Sequence, residues 1–191
     1  VEKRFSKGFT LLSSLTWAHS IDQGNEDLFD GGGGVANVWD MRRERANSSL
    51  DRRLGFVLSS VYEIPVGKGH HFMSGGVGNA LLGGWQVGGI FSKYTGLPIP
   101  HTINVNNENM GGAVRGDFLR SPDLPSNERS IDRWFDTGFV VPSAPGVISN
   151  AGRNLVRAPG RVNFDLMMAR NFSLPWERHQ IQFRFESFNF T

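Results

Sequence analysis

The stretch Val162-Asn163-Phe164-Asp165-Leu166-Met167-Met168-Ala169-Arg170-Asn171-Phe172 sorts its side chains by parity. Val162, Phe164, Leu166 and Met168 fall on one side of an extended chain; Asn163, Asp165, Ala169 and Asn171 fall on the other. An extended strand sends successive side chains to opposite faces, so this alternation reads as a β-strand with one apolar face. Ser173-Leu174-Pro175-Trp176 leads on to a second such segment, Gln180 to Phe188, where Ile181, Phe183 and Phe185 alternate with Gln182, Arg184 and Glu186. The two predict an antiparallel hairpin in which like faces meet. A four-residue loop closing Phe172 onto Glu177 sets Phe164 opposite Phe185, Leu166 opposite Phe183 and Met168 opposite Ile181. On the polar face it sets Asp165 opposite Arg184 and Met167 opposite Gln182. A shift that opposes Asp165 to Glu186 meets like-charge repulsion, whereas favourable cross-strand pairs give roughly 0.2–1 kcal/mol each. The first register is therefore expected.

Three further segments alternate in the same way. Phe9 to Ala18 aligns Phe9, Leu11, Ser13, Leu15 and Trp17; Leu54 to Ile64 aligns Leu54, Phe56, Leu58, Tyr62 and Ile64; Trp85 to Tyr94 aligns Trp85, Val87, Gly89 and Phe91. Segments of about 9–11 residues suit a tilted strand crossing a bilayer and exceed the usual ~5–6 residues of a globular strand. The connections alternate between long (20–53 and 100–161) and shorter. That asymmetry is typical of an outer-membrane barrel, with long loops outside and short turns in the periplasm. The fold expected is all-β, an antiparallel meander of about five long strands.

Composition narrows the function. The 191 residues contain no Cys, which excludes disulfide scaffolds and thiolate metal sites. No apolar run approaches the roughly 18 residues of a membrane-spanning helix. A formal net charge of +2, dispersed along the chain, is too small for a nucleic-acid footprint. The first residues, Val1-Glu2-Lys3-Arg4, hold no initiator Met or signal peptide, and the last lie inside an alternating segment, so the chain reads as a fragment.

In a barrel the apolar faces meet hydrocarbon and the polar faces line the lumen. Phe9, Leu11, Leu15, Trp17, Phe164, Leu166, Met168, Ile181, Phe183 and Phe185 are the candidate lipid-facing residues. Asn163, Asp165, Gln182, Arg184 and Glu186 are the candidate lumen-facing ones. A cation at the midplane costs roughly 2–4 kcal/mol, falling to ~0–1 at the interface. Arg170 and Lys93 follow the apolar faces but sit near segment ends. Trp17, Tyr62, Trp85 and Trp176 lie there too, as an aromatic girdle requires.

Several stretches carry a family resemblance. They are Trp17-Ala18-His19-Ser20-Ile21-Asp22, Ser49-Leu50-Asp51-Arg52-Arg53, Tyr62-Glu63-Ile64-Pro65-Val66-Gly67-Lys68-Gly69 and Leu82-Gly83-Gly84-Trp85-Gln86. Asp132-Arg133-Trp134-Phe135-Asp136-Thr137, Asn150-Ala151-Gly152-Arg153-Asn154, Arg157-Ala158-Pro159-Gly160 and Gln182-Phe183-Arg184-Phe185-Glu186 follow. In this order they resemble the C-terminal barrel region of Oar-like TonB-dependent receptors, which commonly carry a carboxypeptidase-regulatory-like domain. Ala158 stands where that family usually has Gly. The resemblance implies a roughly 22-stranded plugged barrel that imports a large ligand, of which this chain is a fragment. It also implies partners: the inner-membrane TonB complex through a plug outside the chain, outer-membrane lipid and lipopolysaccharide, and an unknown imported ligand. The competing reading is a soluble β-sandwich carbohydrate-binding or adhesive module.

No chemical motif supports an enzyme, cofactor or metal site. Gly31-Gly32-Gly33-Gly34 and Gly67-Lys68-Gly69 lack the Lys-Ser/Thr of a phosphate loop, and Gly76-Val77-Gly78 lacks a third spaced Gly. His70 and His71 are adjacent rather than at i, i+4, and read as rim residues. Asp22, Glu26, Asp27 and Asp30 do not follow EF-hand order. They are expected to pair with the basic stretch Arg42, Arg43, Arg45, Arg52 and Arg53. Arg184 and Glu186, two residues apart on one face, read as a structural ion pair.

Overall fold

The computed structural model describes residues 2–5, 8–23, 34–66, 83–109, 111–173 and 180–190. Its strands, in chain order, are β1 (Glu2–Phe5), β2 (Phe9–Trp17), β3 (Ile21–Asp22), β4 (Ala46–Asn47), β5 (Leu54–Glu63) and β6 (Trp85–Tyr94). They continue with β7 (Pro98–Ile99), β8 (Asp117–Phe118), β9 (Val140–Val141), β10 (Val156–Arg157), β11 (Arg161–Ser173) and β12 (Gln180–Ser187). Helix is confined, among the described residues, to short 3-10 turns at Met41–Glu44 and Thr137–Phe139. The chain divides into two units.

The first unit comprises Val1–Thr16, Leu54–Tyr94 and Arg161–Thr191. It is one antiparallel sheet in the order β1-β2-β5-β6-β11-β12, so strands adjacent in the sheet follow one another along the chain once the short loop strands are set aside. The five long strands form where the alternation places them. β1 was not foreseen: Glu2-Lys3-Arg4-Phe5 has no apolar alternation, and its pairing with β2, Glu2 opposite Leu12 and Phe5 opposite Phe9, completes a tight hairpin.

Register keeps the faces separate. Phe91 stands between Leu58 and Phe164, and Val87 between Tyr62 and Met168. The Phe56 and Phe91 rings lie 6.2 Å apart, and Phe9 meets Tyr62 edge-on at 6.1 Å, which brings β2 onto the same face. This apolar face is open: Leu15 is 67%, Ile181 55%, Phe183 52% and Phe185 51% exposed.

The register of the last hairpin corrects the expectation. Phe185 faces Met168 rather than Phe164, Phe183 faces Arg170 and Ile181 faces Phe172. Ser173 pairs with Gln180, so the strands close on a longer connection than the four residues expected. Asp165 does not meet Arg184. Its Oδ1 accepts from Asn163 Nδ2 at 2.9 Å and from the Asn189 N–H at 3.1 Å, while Arg184 pairs with Glu186 on its own strand. The observed register also brings Phe183 opposite Arg170, which has aromatic rings beside it on its own strand and on β6. Its guanidinium lies 4.4 Å from the Phe172 ring centroid and 5.7 Å from that of Trp85, and Phe183 packs edge-on against Trp85 at 6.2 Å. Cation–π contacts of this kind are worth about 0.5–2 kcal/mol as desolvation increases. Arg170→Ala is therefore expected to destabilise the sheet by about 1–2 kcal/mol in urea titrations of the refolded protein in lipid vesicles, and Arg170→Lys by less.

The second unit comprises Trp17–Arg53 and Thr95–Gly160, the two long connections. They are ordered by three two-stranded ladders, β3–β4, β7–β10 and β8–β9. Phe139, Val156, Leu124, Val114, Ala151 and Ala36 are buried there. At Gly96 an added Cβ would sit 1.6 Å from the Ala158 carbonyl oxygen, so only glycine permits this backbone approach. The expected readings of His70, His71, Lys68, Gly76 to Gly78, Glu26, Asp27, Asp30, Gly31 to Gly33, Trp176 and Glu177 fall outside the described residues.

Candidate functional site

The polar face of the sheet is one candidate surface. Opposed pairs place Ser59, Ile90 and Asp165 in one row, and Val61, Gly88, Met167 and Glu186 in the next. Glu63, Gln86, Ala169 and Arg184 form a third, and Asn171 stands opposite Gln182. Asn163, Asp165, Gln182, Arg184 and Glu186 thus share this face. Polar groups along it satisfy one another: Gln86 Nε2 donates to Glu63 Oε1 at 3.1 Å and Gln182 Nε2 to Asn171 Oδ1 at 3.0 Å. Gly88 leaves a shallow notch of about 170 Å³ beside Ser59, Ile90, Asp165, Met167, Arg184 and Glu186.

Phe164, Leu166, Met168, Ile181, Phe183 and Phe185 share the opposite face. Phe9 joins it through Tyr62, and Leu11, Leu15 and Trp17 follow Phe9 by parity along β2.

The loop unit holds a second group of polar residues, most of them buried. Glu44, at the end of a 3-10 turn, is 1% exposed. Its carboxylate accepts two hydrogen bonds from Arg115, at 3.1 and 2.6 Å, and one from the Ala36 N–H at 3.0 Å. Bidentate pairing of this kind is what makes a buried carboxylate tolerable. Asp51 accepts from the Ser20 N–H at 2.7 Å, Arg53 Nε at 2.7 Å and Arg157 Nη2 at 2.5 Å. Burial alone would raise the Asp51 pKa; the Ser20 N–H, Arg157 and Arg53 outweigh it and hold the carboxyl at about 2. Arg153, 2% exposed, pairs with Asp22. Asn154, in the left-handed region at φ 56°, donates to the Asn47 carbonyl at 2.9 Å and pins this turn to β4.

Of the four acids expected to pair with the basic stretch only Asp22 lies among the described residues, and its partner is Arg153 instead. The acids inside the basic stretch, Glu44 and Asp51, take Arg115 and Arg157 from the other long connection. Sequence reasoning missed all of them, since ion pairs up to 131 positions apart leave no periodic trace. One signal was present: Asp51, Arg53, Arg153, Asn154 and Arg157 all lie in stretches that carry the family resemblance.

His101 packs edge-on against Phe139 at 4.8 Å, and neither ring nitrogen has a hydrogen-bond partner. Burial, then the Arg115 charge, push its pKa down to about 4. The unfolded chain takes up this proton near pH 6.5 and the folded loop unit only near pH 4. Stability therefore falls as pH drops through that window. The Asp51 contribution is complete above pH 3.8 and is lost as pH falls towards about 2. Hydrogen exchange of the loop amides is expected to accelerate from pH 6.5 to 4, after correction for intrinsic rates, and His101→Phe to flatten that rise.

Among the described residues no three His, Asp or Glu side chains gather into a metal-binding group. No helix there is long and apolar enough to cross a membrane, which says nothing about crossing by strands.

No curated protein and no solved structure matches the chain. A family model described as an outer membrane beta barrel domain matches residues 1–191. That match, over an all-β antiparallel sheet with one apolar and one polar face, makes the chain a member of the outer-membrane β-barrel family and places the protein in the cell outer membrane.

Proposed function

We propose that the chain is part of a TonB-dependent receptor of the Oar-like type. On this reading its sheet is a segment of a roughly 22-stranded plugged barrel, and its role is the capture and import of a large ligand. The observation that carries the membrane part is the apolar face. Leu15, Tyr62, Val162, Ile181, Phe183 and Phe185 are each more than about 40% exposed along strands of 8 to 13 residues. A contiguous exposed apolar surface of this kind marks a membrane or an interface, and strands of about 9–11 residues span hydrocarbon. A soluble sandwich would seal that face beneath a second sheet.

On the same reading the candidate lipid-facing side chains meet hydrocarbon and lipopolysaccharide acyl chains, and Asn163, Asp165, Gln182, Arg184 and Glu186 look into the lumen. The outer edges of β1 and β12 have no strand partner among the described residues. Lipid does not accept open edges, so further strands must complete the barrel. The resemblance supplies the transport part, with a plug and its TonB contact outside residues 1–191 and no enzymatic step.

The test is uptake by cells expressing the full-length receptor. Accumulation of its ligand, identified by comparing the medium of receptor-deleted and complemented cells, is expected to stop when TonB is removed or the inner membrane is de-energised. Undiminished accumulation under either treatment overturns the import reading and leaves only the barrel.

A further inference from the structure

We infer that Lys93 holds a phosphate of lipid A, the outer-leaflet glycolipid, at the outer rim of the apolar face. The inference rests on the membrane orientation proposed above and makes no use of import. Lys93 lies on β6 opposite Phe56 on one side and Val162 on the other.

Charge on this face is sparse and of one sign. Among the described residues of β5, β6, β11 and β12, the apolar face carries two charged side chains, Lys93 and Arg170, and no carboxylate. The two cations differ in their surroundings. Arg170 is buried, with the Phe172 and Trp85 rings beside its guanidinium. Lys93 is exposed, and its face offers it no counter-ion. An ammonium is a compact, strongly hydrated charge on a long stem that can lie along apolar surface while the head reaches out. At the edge of hydrocarbon it calls for an anion that the sheet does not supply.

Depth names the anion. Trp85, opposite Arg170, and Lys93 lie eight positions apart on β6. At ~3.3 Å per residue and a tilt of about 40° this spans roughly 20 Å of depth, most of the ~25 Å apolar band of a barrel. Arg170 therefore marks one edge of the hydrocarbon, and the Lys93 ammonium reaches the headgroups at the other. β6 runs past Lys93 into the long connection 95–160, and long connections lie outside the cell. The headgroups on that side are those of lipopolysaccharide, whose lipid A carries phosphates on its sugars. A phosphate pairs with an ammonium through charge-assisted hydrogen bonds, while the acyl chains cover the exposed Leu54 and Val162.

Titration of acyl-labelled lipid A into the full-length protein in an uncharged detergent tests it. Saturable binding of the phosphorylated lipid is expected, with affinity at least about fivefold lower for dephosphorylated lipid A. Lys93→Gln should weaken the phosphorylated lipid about fivefold, the effect of one basic residue at an anionic surface, and leave the dephosphorylated lipid unchanged. Lys93→Arg should stay within about twofold of the unsubstituted protein. Arg161→Gln, one residue from Val162 and on the polar face by parity, should leave the affinity unchanged. The inference is overturned by absence of saturable binding, by equal binding of the two lipids, by undiminished binding in Lys93→Gln, or by an equal loss in Arg161→Gln. Displacement of lipid A by equimolar inorganic phosphate overturns the lipid assignment. The orientation itself is read separately, from the unequal urea stabilities expected of Leu166→Arg and Met167→Arg, so failure of the phosphate site and failure of the orientation are told apart.

Discussion

Glu44→Gln is expected to unfold the loop unit while the sheet stays intact. The substitution removes the negative charge from a carboxylate that is 1% exposed and leaves Arg115, 3% exposed, buried without its counter-ion. Breaking one side of a buried pair costs about 3–5 kcal/mol, because the remaining charge cannot regain its hydration. The pair joins residues 71 positions apart, so its loss also frees the two long connections from each other within the unit. Hydrogen exchange across residues 34–53 and 111–120 should accelerate at least about 100-fold, whereas β5, β6 and β11 keep their protection. Replacing both partners with apolar residues of similar size, Glu44→Met with Arg115→Leu, should recover much of the loss, since the desolvation cost of both charges disappears together. Loop protection unchanged in Glu44→Gln would show that this pair does not hold the unit.

A second large effect separates neighbouring residues by parity alone. Leu166 and Met167 are adjacent in the middle of β11; Leu166 lies on the apolar face in the row of Gly89, and Met167 on the polar face between Gly88 and Glu186. Leu166→Arg puts a cation at the depth where hydrocarbon penalises it by roughly 2–4 kcal/mol. Met167→Arg puts the same charge beside Glu186 and should change stability by less than about 1 kcal/mol. Urea titration of the refolded barrel in lipid vesicles measures both. Equal costs for the two variants would mean that the faces are not divided between lipid and lumen, and the membrane orientation proposed here would fall with them.

The faces of the long strands were legible because parity is a local property: each residue declares its side through its immediate neighbours. The register was not legible. Moving β12 by an even number of residues keeps every side chain on its face, so the hydrophobic pattern cannot distinguish the possibilities. The expected choice rested on Asp165 meeting Arg184, but both have partners nearer along the chain, Asn163 for one and Glu186 for the other. What the observed register gains is on the other face, where Phe183 comes opposite Arg170 and packs edge-on against Trp85. β1 escaped notice because Glu2-Lys3-Arg4 has no apolar face to reveal it. The interior of the loop unit escaped for a deeper reason. Glu44, Asp51, Arg115 and Arg153 are residue types normally found at the surface, and only the fold of two distant connections brings them together.

The outer rims of β1 and β12, unpaired among the described residues, bear on how such a chain survives before it reaches its bilayer. Phe183 and Phe185 stand half-uncovered on the strand that carries one of those rims. In an aqueous compartment, vacant amide and carbonyl rows beside bare aromatic rings invite a neighbouring copy to zip on. A polypeptide built this way needs an escort through water and a late, rapid closure, because every moment spent as an open ribbon is a chance to form fibrils instead of a pore.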